Sequence, residues 1–193
     1  MKISIIGLGK LGAPMAAVMA HKGNTVVGVD VNPLYVKAIQ EMKDLRQARG
    51  IQKEKTTIKY VPFEEALRTA DFISVHVPLL PETRGLLDSP KLYRMKPTAF
   101  LVNTSRGSVV DEAALVHALE TGKIAGAALD VYENEPFIHP GLKRPNVVLA
   151  PHIASASLET RTKMACMAAE NVTALFKGQR PPNMLNPEVL KAG

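Results

Sequence analysis

The sequence predicts an α/β chain built on a doubly wound parallel sheet, and three observations carry that prediction. Seven short runs of β-branched and apolar residues alternate with stretches of helical periodicity. The runs are almost wholly apolar rather than alternating, as strands covered on both faces are. A glycine-rich turn, Gly7-Leu8-Gly9-Lys10-Leu11-Gly12, joins the first run to the first helical stretch. Alternation of this kind builds βαβ units with right-handed crossovers, and the expected strand order is close to 3-2-1-4-5-6-7.

The strands are expected at Lys2–Ile6, Thr25–Asp30, Thr57–Val61, Phe72–His76, Ala99–Asn103, Gly126–Asp130 and Val147–Ala150. Helices are expected at Lys10–Lys22, Pro33–Gln47, Phe63–Ala70, Asp111–Thr121 and Ser157–Lys177. Asp111 and Ser157 stand where N-caps belong, Gly122 and Gly178 where helices stop, and Pro181 follows the last stop. The methionine pairs Met15/Met19 and Met164/Met167 fall at helical spacing and are expected in the core.

Composition narrows the class. The 193 residues are 46% hydrophobic and 22% charged, an ordinary globular balance that excludes disordered and collagen-like chains. The single cysteine, Cys166, has no partner within the chain, which points to a reducing, cytoplasmic setting. No uncharged apolar run reaches the ~18 residues of a membrane span. Lys2 and the apolar residues after it imitate a signal peptide, but Gly7, Gly9, Lys10 and Gly12 interrupt the run. The net charge of +6 owes much to Lys37–Lys59, which holds seven basic and three acidic residues. Without interleaved aromatics or a reading motif, that stretch reads as a solvated face rather than a nucleic-acid surface. The five histidines (21, 76, 117, 139 and 152) show no metal-ligand spacing, so no metal site is expected.

The glycine turn carries the first chemical reading. Gly7 permits the tight turn, Gly9 lets a diphosphate approach the backbone, and Gly12 allows close helix–strand packing. With Lys10 and Leu11 between them, these residues present helix N-terminal N–H groups to an anion. Asp30 ends the second strand 18 residues after Gly12, where a carboxylate accepts hydrogen bonds from ribose hydroxyls and repels a 2′-phosphate. The expected cofactor is therefore NAD, on a nucleotide-binding (Rossmann) sheet.

Three polar residues then follow three later strand ends: Arg106, Glu135 and His152. A guanidinium can grip a carboxylate through two parallel hydrogen bonds. A histidine can exchange a proton with a hydroxyl or carbonyl, and a neighbouring carboxylate orients its ring and favours the protonated form. Each residue alone has an ordinary structural explanation; their placement at one sheet edge is what suggests a site.

From about Lys59 to Leu190 the chain resembles the cofactor domain of D-isomer-specific 2-hydroxyacid dehydrogenases. The matching stretches are His76-Val-Pro-Leu with Glu82-Thr83, Met95-Lys-Pro, Asn103-Thr-Ser-Arg-Gly-Ser-Val-Val-Asp111, Gly126 through Pro136, and Pro151-His-Ile-Ala-Ser155. The resemblance implies Arg106 as carboxylate binder, His152 as acid/base and Glu135 as its partner. It implies that Val77, Pro78, Thr83, Thr104 and Asp130 line the cofactor along with His152, Asp130 lying near the nicotinamide carboxamide. A small 2-oxo or 2-hydroxy acid such as glyoxylate or hydroxypyruvate is the implied substrate. Residues 1–42 are instead similar to UDP-glucose and GDP-mannose dehydrogenases, with Pro14 after the third glycine. A chimera joined near residues 42–57 is expected on that ground.

Residues 1–180 are then expected to form one NAD-binding domain, monomeric or homodimeric. Family members place a substrate domain before this fold, so the resemblance implies a chain lacking it, weakly active or inactive alone. The tail, 181–193, matches the segment that returns to that domain and is expected to be loosely ordered. A cofactor-binding module without catalysis is the alternative reading.

Overall fold

A computed structural model of the chain describes residues 1–7, 12–30 and 58–191. The expected helix at Pro33–Gln47 and the expected junction at 42–57 lie outside the described residues. Seven strands form one sheet: β1 (Lys2–Ile6), β2 (Thr25–Val29), β3 (Ile58–Tyr60), β4 (Phe72–Val75), β5 (Phe100–Asn103), β6 (Gly126–Leu129) and β7 (Val147–Leu149). All pairs are parallel and the order is β3-β2-β1-β4-β5-β6-β7, as the sequence predicts. Between strands lie α1 (Gly12–His21), α2 (Phe63–Thr69), the one-turn α3 (Ser89–Leu92) and α4 (Glu112–Glu120); α5 (Leu158–Phe176) follows β7.

Side chains of β1 show how the sheet is covered on both faces. Ile3 and Ile5 join Ala16 of α1 and Val26 in one buried cluster. Ile6 joins Leu67 of α2 in another, which continues through Ile73, Leu101, Leu115, Leu119, Ile124, Leu129 and Leu142. Successive strand residues point to opposite faces, so an uninterrupted apolar run is what a sheet with helices on both sides requires. Within β5, Leu101 is wholly buried.

Two helix starts follow their sequence signals. The Asp111 carboxylate accepts the Ala114 N–H at 2.9 Å, and Ser157 Oγ accepts the Thr160 N–H at 3.2 Å, each satisfying a donor the helix leaves open. Gly122 and Gly178 follow α4 and α5 with φ of +66° and +68°, the left-handed conformation that stops a helix.

By packing, the chain divides into residues 1–152 and 153–193. In the second unit α5 buries no side chain. Met164 and Met167 are 53% and 36% exposed, which corrects their expected place in a core. The tail has local structure, with the Asn183 N–H donating to Asn171 Oδ1 at 3.0 Å and Asn171 Nδ2 donating to Asn183 Oδ1 at 3.1 Å. No helix among the described residues is long and apolar enough to cross a membrane.

Candidate active site

Because every strand runs the same way, all seven carboxyl ends meet one edge of the sheet, and the residues following them share that edge. In open α/β sheets this edge, where the chain switches direction from β1 to its two neighbours, is where ligands bind. Here β1 lies between β2 and β4.

Gly7 occupies the switch point. Its N–H donates to the Val29 carbonyl at 2.8 Å, and its φ of +90° is open to glycine at little cost. A Cβ there would lie 2.8 Å from the His76 carbonyl carbon and 2.9 Å from Val77 Cγ1. A Cβ on Gly12 would run into the Gly7 carbonyl oxygen. Gly12, at the start of the first helix, therefore packs directly on the Gly7 main chain, with room for backbone and nothing more, as close helix–strand packing demands. Gly9, Lys10 and Leu11 lie outside the described residues.

Asp30 follows β2, and its backbone is held by a residue the sequence reading missed. The Asp30 N–H donates to Tyr60 Oη at 2.9 Å, while the Tyr60 hydroxyl donates to the Asp30 carbonyl. After β4, Val77 is buried against Gly7 and Pro78 is exposed. Thr83 is 3% exposed, and its hydroxyl donates to the Pro78 carbonyl at 2.6 Å and accepts the Leu80 N–H at 2.8 Å. That hydroxyl is engaged in shaping the 78–83 loop.

The β5 end supplies Thr104, exposed, and Arg106, whose loop Asn103 shapes. Asn103 Nδ2 donates to the Arg106 carbonyl at 3.0 Å, and its Oδ1 accepts from the Ser105 N–H and hydroxyl at 3.0 and 2.9 Å. The exposed Arg106 guanidinium donates to the Ser105 carbonyl at 2.7 Å. Farther on, the loop is pinned to the segment after Thr83: Gly85 N–H donates to Ser108 O at 2.8 Å and Leu87 N–H to Val109 O at 3.1 Å.

The β6 and β7 ends meet in a direct contact. Glu135 Oε2 lies 2.8 Å from His152 Nδ1, and Glu135 Oε1 accepts the Tyr132 N–H at 3.1 Å. The imidazole hydrogen bond holds the Glu135 carboxyl below the usual carboxylate range, against the opposing effect of partial burial. With Nδ1 committed to Glu135, Nε2 faces away from it, free to serve as a proton donor or acceptor. His152 has φ +55°, a left-handed backbone that a non-glycine residue keeps only when its surroundings hold it there.

The Arg106 loop adjoins this pair through main chain. A Cβ on Gly107 would lie 2.5 Å from the Glu133 nitrogen and still closer to the Tyr132 carbonyl. Glu112, buried at the start of α4, accepts the Glu133 N–H at 3.1 Å. Asp130, 5% exposed, donates its N–H to the Asn103 carbonyl at 3.0 Å. Thus Arg106, Glu135 and His152 stand on neighbouring loops of the edge that also carries Gly7, Asp30 and Val77. Tyr60, Asn103, Gly107, Glu112 and Tyr132 hold those loops in place.

Comparison with known proteins accounts for this arrangement. Residues 1–154 match the family model of the D-isomer specific 2-hydroxyacid dehydrogenase, NAD binding domain. A glyoxylate reductase of Korarchaeum cryptofilum is 47% identical over 191 residues, 98% of this chain and 53% of the relative. The TT0316 protein of Thermus thermophilus superposes with a TM-score of 0.80 at 36% identity, covering 96% of this chain and 53% of that one. An NADPH-dependent glyoxylate/hydroxypyruvate reductase of Sinorhizobium meliloti, solved with NADP and malonate, gives a TM-score of 0.75 at 34% identity over 91% of this chain and 50% of that one. The chain spans about half the length of the curated relatives it matches. It belongs to the D-isomer specific 2-hydroxyacid dehydrogenase family, as the NAD-binding domain.

Proposed function

We propose that this chain is the cofactor-binding half of an NAD-dependent reductase of small 2-oxo acids, glyoxylate or hydroxypyruvate being the substrates to test first. The observation that carries the reading is the 2.8 Å Glu135–His152 pair, placed on the same sheet edge as the Gly7 turn. In this reading Gly7, Gly9, Lys10, Leu11 and Gly12 receive the diphosphate and Asp30 the adenosine ribose. Val77, Pro78, Thr83, Thr104, Asp130 and His152 line the remainder, Thr83 through the loop it shapes. When bound, the nicotinamide supplies the reducing equivalents at the substrate carbon.

The protein's own groups do the rest. Arg106 exchanges its bond to the Ser105 carbonyl for a paired grip on the substrate carboxylate, fixing the carbonyl group's orientation. His152 Nε2–H donates a proton to the carbonyl oxygen as it gains electrons; in the reverse direction the deprotonated Nε2 accepts the hydroxyl proton. Glu135, ionised near neutral pH, accepts from Nδ1–H, fixes the tautomer and balances the imidazolium charge.

A relative at 34% identity is NADPH-dependent, so cofactor choice rests on Asp30, whose carboxylate would repel a 2′-phosphate. The resemblance of residues 1–42 to nucleotide-sugar dehydrogenases rests on the stretches 6–16 and 27–33. The family match runs unbroken from residue 1 to 154, across the expected junction, and favours a single parent.

Loss of NADH absorbance on mixing with glyoxylate or hydroxypyruvate tests the reading, with Arg106→Ala as control. Turnover that the substitution abolishes supports it. NADH binding without turnover supports the cofactor-binding module instead, a reading favoured by the relatives' activity residing in chains about twice this length.

A further inference from the structure

We propose that Tyr132 is the positioning residue of the Glu135–His152 pair, and this rests on the reading of that pair as the proton-transfer site. Tyr132 is 6% exposed and packs in the main core cluster, a fixed base from which two separate groups reach the pair. The Tyr132 N–H donates to Glu135 Oε1 at 3.1 Å, leaving Oε2 to face the imidazole. The Tyr132 hydroxyl donates to the Ala150 carbonyl at 2.8 Å, two residues before His152, and lies 3.2 Å from the Leu129 carbonyl. One residue thus orients the carboxylate through its main chain and anchors the β7 exit through its side chain.

The backbone of His152 explains why such an anchor is needed. A histidine at φ +55° relaxes to ordinary dihedrals unless its neighbours prevent it, and any such relaxation would swing the imidazole away from Glu135. Tethers that oppose this include the Ala150 N–H bond to the Leu129 carbonyl at 2.9 Å, the Glu135–Nδ1 bond and the Tyr132–Ala150 bond, and the last two begin in the segment Tyr132–Glu135. Tyr132 itself is seated against the Gly107 backbone, so the same residue sets the spacing to the Arg106 loop. The charged groups acting on the cluster are Glu135, Asp130 and Glu112 from the β6 and α4 sides and His152 from the β7 side.

Tyr132→Phe tests this by removing the hydroxyl while keeping the buried ring. The primary readout is the pH titration of the Glu135 carboxyl carbon by NMR, in the unmodified chain, in Tyr132→Phe and in His152→Ala. In the unmodified chain Glu135 titrates below its ordinary value of 4.5, chiefly because of the imidazole bond. His152→Ala removes that bond and raises the titration. Tyr132→Phe is expected to raise it in the same direction, with the far-ultraviolet circular dichroism spectrum unchanged. A Glu135 titration that stays put in Tyr132→Phe while rising in His152→Ala overturns the proposal. This readout requires neither cofactor nor turnover, so it stands apart from any failure of the reductase reading. Where glyoxylate reduction is measurable, Tyr132→Phe should lower kcat about tenfold with little change in KM, as loss of alignment rather than of binding does. An unchanged kcat also overturns the proposal.

Discussion

Gly107→Ala places a methyl group where two loops of the site meet main chain to main chain. The added Cβ would sit 2.5 Å from the Glu133 nitrogen, and nearer to the Tyr132 carbonyl, whereas ordinary contact begins at 3.4 Å. With the Tyr132 carbonyl only 2.0 Å away, the loops must part by about 1.4 Å to restore ordinary contact, and backbone atoms cannot yield as a flexible side chain would. Overpacking of this kind costs about 1–3 kcal/mol, and for a chain of this size about 2 kcal/mol lowers Tm by about 4–8 °C. The same displacement moves Arg106 relative to Glu135 and His152, where about 1 Å of misplacement can cost on the order of a hundredfold in rate. Thermal unfolding followed by circular dichroism reads the first effect, and NADH-dependent glyoxylate reduction reads the second. Gly122→Ala is the comparison: its φ is +66° but a Cβ there meets nothing within 4 Å, so only the backbone penalty of about 1 kcal/mol applies and the site is untouched. If Gly107→Ala melts no lower than Gly122→Ala, the two loops are not in contact and the convergence of Arg106 with the acid/base pair is wrong.

Three other substitutions or titrations probe separate levels. Asp30→Ala should erode discrimination against NADP⁺ by on the order of tenfold or more in calorimetric titrations; an unmodified chain that prefers NADP⁺ would show Asp30 to be misread. Leu101→Ala, in the centre of the sheet and wholly buried, should cost about 3 kcal/mol in denaturant unfolding, and a cost below about 1 kcal/mol would contradict the packing described. Stability should also fall on acidification in two stages. Burial holds half-buried His76 below its ordinary 6.5, so the unfolded chain takes up a proton there first and stability declines as pH drops below that value. Asp71, Asp88 and Glu135, held low by hydrogen bonds from Lys2 and Lys96, from Lys91 and from His152, contribute stability that is full above the ordinary carboxylate range and lost as pH falls through their depressed values. Denaturant midpoints measured from pH 8 to pH 3 (a window of roughly the ordinary histidine and carboxylate range) check both stages, and a midpoint constant down to pH 5 would refute the His76 stage.

The strands were legible because burial on both faces leaves a mark that short-range composition carries. Their carboxyl ends were not. The expected strands run to Asp30, His76, Asp130 and Ala150, whereas the ladder stops at Val29, Val75, Leu129 and Leu149. Each of those four residues turns out of the sheet at the edge where the site is built. The one-turn helix Ser89–Leu92 escaped notice although Asp88 caps it, accepting the Lys91 N–H at 3.1 Å; four residues are too few for periodicity to register. Arg106, Glu135 and His152 could be found because strand ends in a parallel sheet share an edge. The residues that hold them could not. Tyr132 reaches Ala150 across 18 positions and Glu112 reaches Glu133 across 21, and Glu112 in sequence is only an acid in a helix's first turn. Such ties are set by tertiary placement, which no local pattern encodes.

Titrating the amide-labelled chain with NADH while following its NMR spectrum addresses the shared cleft most directly. Saturable shifts are expected together at Gly7 and Gly12, at His76 and Val77, at Thr104 and Arg106, and at Asp130, all with one dissociation constant. Shifts confined to the Gly7–Gly12 turn, or to the Arg106–His152 loops alone, would mean that the two groups of residues do not serve one cofactor.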